Sequence, residues 1–265
     1  MLVLEDTKLY CMLEGSASWE TSDMTIGDFG PKIRYAVPMF LIDHPEGLVL
    51  FETGYDPQVG SDPAAYLGPE NAMAWKIEMK EEDAAIYQIE RLGYRPKDIK
   101  YVIMSCLYSD HAGGMKYFPQ STHIVQRAEL REAWWPSPYN ETYYNYKDIK
   151  DTRNFKFIQL DGGDLDVFND SSVIVKSYPC HAIGEQVVIL RLKKNGTIVF
   201  PAGLITIRKN YELNKIPGVL MVSPAEAWKN VQSLRQIIAR EKAKVMYHHD
   251  LQEWMTYKKL PDYYD

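Results

Sequence analysis

The sequence has few cysteines, no surplus of basic residues and no long apolar run. Its three cysteines, Cys11, Cys106 and Cys180, are widely spaced and odd in number, so they do not form a disulfide framework. The net charge of −6 argues against a general nucleic-acid binder, which needs a basic face. No apolar run approaches the roughly 20 residues that span a bilayer, and residues 1–6 carry acid where a signal peptide carries base. We therefore expect a cytoplasmic protein with no nucleic-acid or membrane partner.

What the sequence does contain is typical of a folded, soluble domain. Of its 265 residues, 46% are hydrophobic and 25% are charged, which is enough apolar material to bury a full core. Neither an internal repeat nor a Gly/Ser-rich linker divides the sequence. We therefore expect one domain over residues 1–265.

Apolar runs rich in β-forming residues predict strands along most of the chain. A helix is predicted over 82–92, where the apolar residues share one face and Gly93 follows as a C′ glycine. A longer helix begins after Ser223, with Pro224 in its first turn and Glu226 completing a capping box. Runs of strands with few helices indicate an α+β protein with two packed sheets and helices outside. The predicted strands are 37–43, 48–52, 100–104, 123–126, 155–160, 172–178, 186–192, 197–200 and 244–247.

Three histidines stand just beyond the ends of predicted strands, namely His111, His181 and His249. Loops that follow strands bring distant parts of a chain together at one edge of a fold. Asp110 precedes His111, and carboxylate and neutral imidazole are preferred zinc ligands. A lone histidine at a strand end is more often a packed, hydrogen-bonded residue, so this spacing alone does not establish a metal site.

The sequence around these histidines resembles a known family. The segment 102–114, VIMSCLYSDHAGG, is similar to the loop of metallo-β-lactamase-fold hydrolases, which reads His-x-His-x-Asp-His followed by Ala-Gly-Gly. The likeness to the N-acyl-homoserine lactonase branch continues in order along the chain. The resemblance implies an αββα sandwich with two mixed sheets flanked by helices. The other matching segments are LVLFETG at 48–54, GYRPKDI at 93–99, IVQRAE at 124–129, PCH at 179–181 and YHHD at 247–250.

The resemblance carries over only part of the metal site. Asp110, His111 and His249 match the family's second metal site, and His181 matches the third histidine of the first site. Among the departures, two first-site histidines are replaced, and with Asn210 as anchor the family's bridging aspartate is lost. The changed positions are Cys106 and Tyr108 for the two histidines, Gly203 for the aspartate, Thr206 for a tyrosine near the substrate carbonyl, and Glu52 for a usual aspartate.

These departures make an ordinary dinuclear zinc site improbable, because two close dications need a bridging anion. We predict one divalent metal, with zinc expected and iron or manganese as alternatives. In this interpretation Asp110, His111 and His249 hold the ion, water completes the shell, and an open position suits a Lewis-acid hydrolase. Tyr108 is a poor zinc donor because its unperturbed pKa is about 10. We expect it to form a wall or to donate a hydrogen bond to substrate.

Cys106 leaves three interpretations open. It is a zinc ligand alongside His181, because thiolate binds zinc well. Alternatively it is a nucleophile that takes His181 or His111 as its base. In the third interpretation it is a small buried residue that fills the space of the lost histidine. Cys180 is expected to pack in the interior, and His248 is expected to face away from His249.

An aromatic segment from Trp134 and Trp135 to Tyr146 is rich in turn-forming residues. It forms a lid or pocket wall that binds substrate, or else a self-packed loop or homodimer contact. The same aromatic enrichment suits either role.

The sequence as a whole favours a metal-dependent hydrolase of the lactonase-like branch. Its substrate is a small cyclic ester or related acyl compound, opened by metal-activated water. Asp110, Cys106 and Tyr108 are the candidate catalytic residues, and Thr206 is a further candidate substrate contact. The alternative is an inactive pseudo-enzyme that keeps the fold and binds a ligand or partner. A third hypothesis is a repurposed enzyme that uses Cys106 covalently or as a ligand to one iron or zinc.

Overall fold

The computed structural model describes residues 6–265, and these residues form two mixed β-sheets. The strands are β1 Lys8–Trp19, β2 Ile33–His44, β3 Gly47–Phe51, β4 Glu78–Met79, β5 Ile99–Ile103, β6 Thr122–Gln126, β7 Lys156–Leu160, β8 Leu165–Asp166, β9 Val173–Ser177, β10 Gln186–Leu192, β11 Gly196–Phe200 and β12 Lys244–Val245. The seven-stranded sheet has the order β4-β1-β2-β3-β5-β6-β7, and the five-stranded sheet has the order β12-β11-β10-β9-β8.

Each sheet combines antiparallel and parallel pairs. In the larger sheet β4, β1, β2 and β3 pair antiparallel, whereas β3, β5, β6 and β7 pair parallel. In the smaller sheet only β11 and β12 are parallel. Parallel strands place their carboxyl ends, and the loops that follow, at the same edge of a sheet. The site described below lies at such an edge.

Helices cover the outer faces of the two sheets. The α-helices are α1 Thr21–Met24, α2 Pro57–Ser61, α3 Pro63–Leu67, α4 Pro69–Trp75, α5 Ala85–Arg91, α6 Ser109–Ala112, α7 Arg127–Trp134, α8 Tyr146–Ile149, α9 Arg208–Glu212, α10 Pro224–Glu241 and α11 Leu251–Trp254. Short 3₁₀ helices occupy Glu81–Asp83, Pro96–Asp98, Met115–Tyr117, Glu141–Tyr143, Lys150–Thr152 and Ala202–Ile205. None of the helices in residues 6–265 has both the length and the apolar character that crossing a bilayer requires.

The main core lies between the sheets and is built from apolar residues of alternating strand positions. Leu9, Phe40 and Phe51 of the larger sheet pack against Val188 and Phe200 of the smaller one, and all are almost completely buried. On the outside, α10 buries a stripe at helical spacing against the smaller sheet, formed by Ala227, Val231, Leu234 and Ile238. The predicted αββα sandwich is confirmed.

Each of the nine predicted strands coincides with an observed strand, but β1 was not predicted. Its twelve residues include Gly15, Ser16 and a buried Glu14, so they show no clean apolar alternation. The register with β2 shifts between Leu13 and Gly15. Glycine is required there, because a Cβ at position 15 would lie 2.3 Å from the carbonyl oxygen of Glu78 in β4.

The predicted helix over 82–92 is interrupted at its start. Ala84 has an extended backbone, with φ −63° and ψ 156°, so a 3₁₀ turn precedes α5 instead of one continuous helix. Asp83 accepts a hydrogen bond from the main-chain nitrogen of Lys80 at 3.2 Å, which stabilises that separate turn. The N-cap of α10 is as predicted, because Ser223 accepts a hydrogen bond from the nitrogen of Glu226 at 3.2 Å. The expected capping box is incomplete, because within residues 6–265 the Glu226 side chain accepts no hydrogen bond from the nitrogen of Ser223.

Candidate metal centre and pocket

The loops after four strands meet at one edge of the sandwich. Glu52 follows β3, the segment from Ser105 to His111 follows β5, His181 follows β9, and His249 follows β12. Strand ends hold such residues rigidly, while the loops allow their side chains to converge. The structure therefore brings together residues that lie far apart in the sequence.

Two triads of potential metal donors occupy this edge. The first consists of Cys106, His111 and His181, and the second of Asp110, His111 and His249. Within each triad the donor atoms lie within 4.8 Å of one another. Asp110 retains 13% side-chain exposure, whereas the other four residues are buried. The four predicted metal ligands are thus neighbours, and Cys106 lies with them.

The three histidines of these triads are each anchored through Nδ1. His181 Nδ1 lies 2.7 Å from Glu185 Oε2, and His249 Nδ1 lies 2.9 Å from the carbonyl oxygen of Ala36. His111 Nδ1 lies 3.3 Å from Glu52 Oε2 and 3.2 Å from Ser105 Oγ. Because carboxylate and carbonyl oxygens only accept, we place the proton of each ring on Nδ1, which leaves Nε2 facing the other donors. This is the arrangement by which proteins orient metal-binding histidines, so the residues present fit a metal ion.

Glu52 supports this arrangement from behind. It is fully buried with a left-handed backbone, φ +65°, and it accepts a hydrogen bond from the nitrogen of Ser105 at 3.2 Å. Burial opposes its ionisation, but His111 and His248 outweigh burial and lower the pKa of Glu52 to about 2. As expected, His248 faces away from the pocket, into the aromatic core beside Phe51.

Position 203, where the resemblance expects a bridging aspartate, is a glycine that lies against the ring of His181. The ring of His181 lies directly over Gly203, so a Cβ at this position would be 2.1 Å from ring atoms Cε1 and Nδ1. Atoms of two side chains do not approach so closely, and any larger residue requires the ring to move. The imidazole of His181 thus takes the space into which a side chain at position 203 would project.

Cys106 is fully buried beside His181. Its Sγ lies 4.0 Å from His181 Nε2, on the opposite side of the ring from Glu185. Burial opposes protonation of His181, but Glu185 and Cys106 outweigh burial and raise the pKa of His181 to about 10. This part of the site therefore favours positive charge, either as a proton or as a cation.

Aromatic side chains form the walls of a narrow pocket over the donors. The ring of Tyr35 lies 4.9 Å from the ring of His249, and its hydroxyl lies 3.3 Å from that of Tyr55. Burial and the nearby charge of Asp110 raise the pKa of Tyr35 well above its usual value, so this phenol stays protonated. The remaining walls include Trp19, Trp75, Tyr108 and Tyr143.

Three of the predicted substrate contacts lie elsewhere or are occupied. Thr206 is buried and donates to Asn210 Oδ1 at 2.7 Å, so its hydroxyl is used inside the fold. Trp134 and Trp135 line a separate surface groove, and Trp135 is 88% exposed. Their expected contact with substrate is wrong, because α7 directs them away from the donors. From the same aromatic segment it is Tyr143 that reaches the pocket.

Tyr108 lines the pocket with its ring, which lies 5.1 Å from the ring of His181. Its hydroxyl donates to the main-chain oxygen of His181 at 2.7 Å. The expectation of a hydrogen bond from Tyr108 to substrate is therefore corrected, because the phenolic proton is already used within the protein. Its contribution to the pocket is a wall.

Several residues of the site were not predicted from the sequence. Glu185 stands four residues after His181, a spacing that alone did not mark it as the partner of Nδ1. Tyr35 belongs to none of the matching segments, Tyr55 stands just after the segment 48–54, and Trp19 lies at the end of the unpredicted strand β1. These residues enter the site through tertiary packing.

Comparisons with known proteins give matches that cover most or all of the chain. The profile described as Metallo-beta-lactamase superfamily matches residues 34–249. The chain is 31% identical over 265 residues to N-acyl homoserine lactonase AttM of Azorhizobium caulinodans, covering 99% of this chain and 100% of that protein. It is 28% identical over 253 residues to an N-acyl homoserine lactonase of Bacillus cereus, covering 96% and 94% of the two chains.

A solved structure shares the fold over its full length. It is an N-acyl homoserine lactone hydrolase with the product N-hexanoyl-L-homoserine bound at its catalytic metal center. The two structures superimpose over 100% of both chains with a TM-score of 0.86, at 24% sequence identity. At this identity the likeness is one of fold.

Proposed function

Because this chain belongs to the metallo-β-lactamase superfamily, we propose that it is a metal-dependent hydrolase that opens lactones or related cyclic acyl compounds. Its relatives of 28% to 31% identity are named N-acyl homoserine lactonases. The observation that carries the proposal is the set of three histidines anchored through Nδ1, whose donor atoms converge with Asp110 and Cys106 in two triads that share His111. Metal-binding histidines are usually anchored in this way.

The fold implies a divalent metal, and we propose that it binds at this edge of the sandwich, where Cys106, Asp110, His111, His181 and His249 supply two alternative triads of donors. One ion per chain is proposed, with zinc expected, because His111 belongs to both donor triads and position 203 offers no bridging carboxylate. When bound, the ion supplies Lewis-acid activation of water and of the lactone carbonyl.

Asp110 is proposed to move the proton of the reaction. It is the carboxylate that lines the pocket, and it keeps contact with solvent. Hydrolysis adds water to the carbonyl carbon and breaks the bond to the ring oxygen. Asp110 takes a proton from the attacking water and returns one to the departing ring oxygen, which yields a hydroxy acid.

Tyr35 and Tyr55 are proposed to orient the lactone carbonyl. Their hydroxyls face each other at 3.3 Å within the pocket wall, and burial keeps both protonated by raising the pKa of each phenol. A phenol that stays protonated can donate to a carbonyl oxygen as negative charge develops on it. This supplies the donor that Thr206 cannot provide.

The experiment is hydrolysis of a lactone panel by the zinc-loaded protein and by Asp110→Asn, with metal content measured on the same samples. We expect Asp110→Asn to lower kcat by about 100-fold or more, since general acid–base catalysis contributes at least about that factor. Asp151→Asn, at an exposed carboxylate, serves as the matched control and should retain activity. Equal turnover by wild type and Asp110→Asn would contradict the proposal.

The packing of His181 over Gly203 favours a second candidate, a protein that binds a lactone-like ligand without turning it over. The lost bridging position and the occupied Thr206 hydroxyl both remove groups that relatives of this sequence pattern use in catalysis. Metal binding with ligand binding but no turnover across the panel would favour this candidate.

A further inference from the structure

We infer that the metal is held by a thiolate centre formed by Cys106, His111 and His181, which selects thiophilic divalent cations such as Zn²⁺ over hard ones. The inference deepens the proposed function and rests on its premise that this edge of the fold binds a metal. It assigns the ion to one of the two triads and leaves Asp110 and His249 of the other triad without a metal.

The two triads exclude each other. Both contain His111, whose Nδ1 lies near Glu52 and Ser105 at 3.3 and 3.2 Å. Only Nε2 therefore remains, and a single nitrogen lone pair binds one ion. A metal at the Cys106 triad leaves Asp110 and His249 without His111, and the reverse also holds.

The distances in the thiolate triad suit one ion. Cys106 Sγ lies 4.0 Å from His181 Nε2. Zinc bonds of about 2.3 Å to sulfur and about 2.0–2.1 Å to nitrogen together span slightly more than this separation. The separation of these two atoms is therefore compatible with one ion bound to both.

Buried charge favours the same triad. Glu52 and Glu185 are both fully buried, and among residues 6–265 their ion pairs are with histidines only. Glu185 Oε1 has no hydrogen-bond partner within that part of the chain. Buried carboxylates are costly unless positive charge lies nearby, and a dication bound to His111 and His181 supplies it to both.

The Asp110 triad lacks this support. Of its histidines, His111 is backed by Glu52, but His249 is backed by the neutral carbonyl of Ala36. Asp110 itself faces the pocket and is partly exposed. With the ion at Cys106, the carboxylate of Asp110 stays free for the proton transfer proposed above.

Binding converts the Cys106 thiol to a thiolate, because the ion displaces the proton, which passes to solvent. Thiolate is a soft ligand that favours Zn²⁺ and Co²⁺, whereas Mg²⁺ and Mn²⁺ prefer oxygen donors. We therefore expect Mg²⁺ to compete poorly for the site.

Cobalt is the probe that reports directly on sulfur coordination. The metal-free full-length protein is titrated with Co²⁺ alone, and the near-ultraviolet thiolate-to-cobalt charge-transfer band is recorded. Wild type should show the band at one equivalent. Cys106→Ser should lose the band and bind Co²⁺ more weakly by about 100-fold or more, since even partners behind the ligands contribute about 10–100-fold. Asp110→Asn should keep the band.

Two further variants guard the interpretation. Cys11→Ser changes another fully buried thiol, in β1 and remote from the donors, and should leave the band unchanged. Glu185→Gln keeps the thiol and should retain the band with an affinity about 10–100-fold lower. If Cys106→Ser fails to fold, as judged by circular dichroism, Glu185→Gln and Asp110→Asn decide between the triads.

The opposite pattern overturns the inference. It fails if wild type binds Co²⁺ without a charge-transfer band, if Asp110→Asn abolishes binding while Cys106→Ser preserves it, or if no Co²⁺ binds. The lactone assay is read separately. A charge-transfer band without lactone turnover supports the thiolate centre and contradicts the proposed function. Lactone turnover without the band supports the proposed function and contradicts the thiolate centre.

Discussion

Gly203 and His181 constrain each other at the centre of the site. A Cβ at position 203 would lie 2.1 Å from the His181 ring, whose Nδ1 is held by Glu185 at 2.7 Å. We expect Gly203→Ala to displace this ring. The free energy of unfolding should fall by about 1–3 kcal/mol, as in other overpacked interiors, and metal affinity should fall with it.

Chemical denaturation and a Zn²⁺ titration measure the two effects. Gly163→Ala is the matched control, because a Cβ there meets open space and the backbone is not left-handed. Wild-type metal affinity in Gly203→Ala would show that His181 does not need its present position.

Asp148 is a buried carboxyl whose ionisation weakens the fold. It accepts hydrogen bonds from the hydroxyls of Tyr66 and Ser109, both at 2.8 Å. Its charged neighbours are Lys116 and Asp56. Burial outweighs the hydrogen bonds and raises the pKa of Asp148 to about 7. An unfolded aspartate has a pKa of about 3.9, so the folded state binds more protons between these two values. Stability contributed by the neutral form is therefore lost as pH rises from about 4 to about 7.

Asp148→Asn removes this titration. The free energy of unfolding of wild type should fall by roughly 1–3 kcal/mol from pH 5 to pH 8 through this group, since one pKa unit is worth about 1.4 kcal/mol. The variant should lack this fall, so the difference between variant and wild type should move in favour of the variant by the same amount. Urea denaturation at the two pH values measures the gain. A constant difference between the two proteins would show that Asp148 titrates normally.

At the scale of elements, the end of β1 contributes to the pocket wall together with Tyr143 of the aromatic segment, for which the sequence left a pocket wall and a self-packed loop or dimer contact equally open. Trp19, at the end of β1, lies 6.0 Å from Tyr143 and 5.9 Å from Tyr35, measured between ring centroids. We expect Trp19→Ala to raise KM for an active lactone roughly 3–10-fold, the loss of one aromatic contact, with a smaller change in kcat. Trp135→Ala is the contrast, because this exposed side chain lies outside the pocket. Steady-state kinetics of both variants test whether Trp19 or Trp135 contacts the substrate. A raised KM in Trp135→Ala but not in Trp19→Ala would contradict this assignment.

Elements with a strong local pattern could be predicted from the sequence. The apolar run at 186–192 coincides with β10, and Ser223 and Pro224 mark the start of α10. Strand β1 could not be predicted, because its sequence shows no alternation of apolar and polar residues. Gly15 is set by close contact with β4, and the buried Glu14 by the hydrogen bond that it accepts from the nitrogen of Tyr55. The break at Ala84 was not predicted either, and within α5 the side chain of Gln88 contacts β1 by donating to the carbonyl of Leu13 at 2.9 Å.

At the scale of the whole molecule, the sequence predicts which potential metal donors meet at the candidate site but not the residues that hold them in place. Asp110, His111, His181 and His249 stand at strand ends in a family-like order, and the structure brings them together. Glu185 and Tyr35 were missed because only the tertiary fold places them beside these histidines. Thr206 was misplaced because alignment gives a position in the chain but not the direction of a hydroxyl.

For the whole protein, we expect poor turnover of standard N-acyl homoserine lactones. The bridging carboxylate and two of the imidazoles that the sequence pattern of the lactonases contains are absent from positions 203, 106 and 108. Elemental analysis of protein purified without chelator should find about one metal per chain, because His111 serves only one triad at a time. Turnover at the rate of an intact lactonase assayed in parallel, or two metals per chain, would contradict this expectation.

The seat of His181 over Gly203 also has a consequence for evolution. A single mutation that introduces aspartate at position 203 meets an imidazole that already fills the space and is held by Glu185. A bridging carboxylate is therefore not one substitution away, because His181 has to be released first. We expect mutation of this sequence to reach new chemistry at one metal more readily than a dinuclear site.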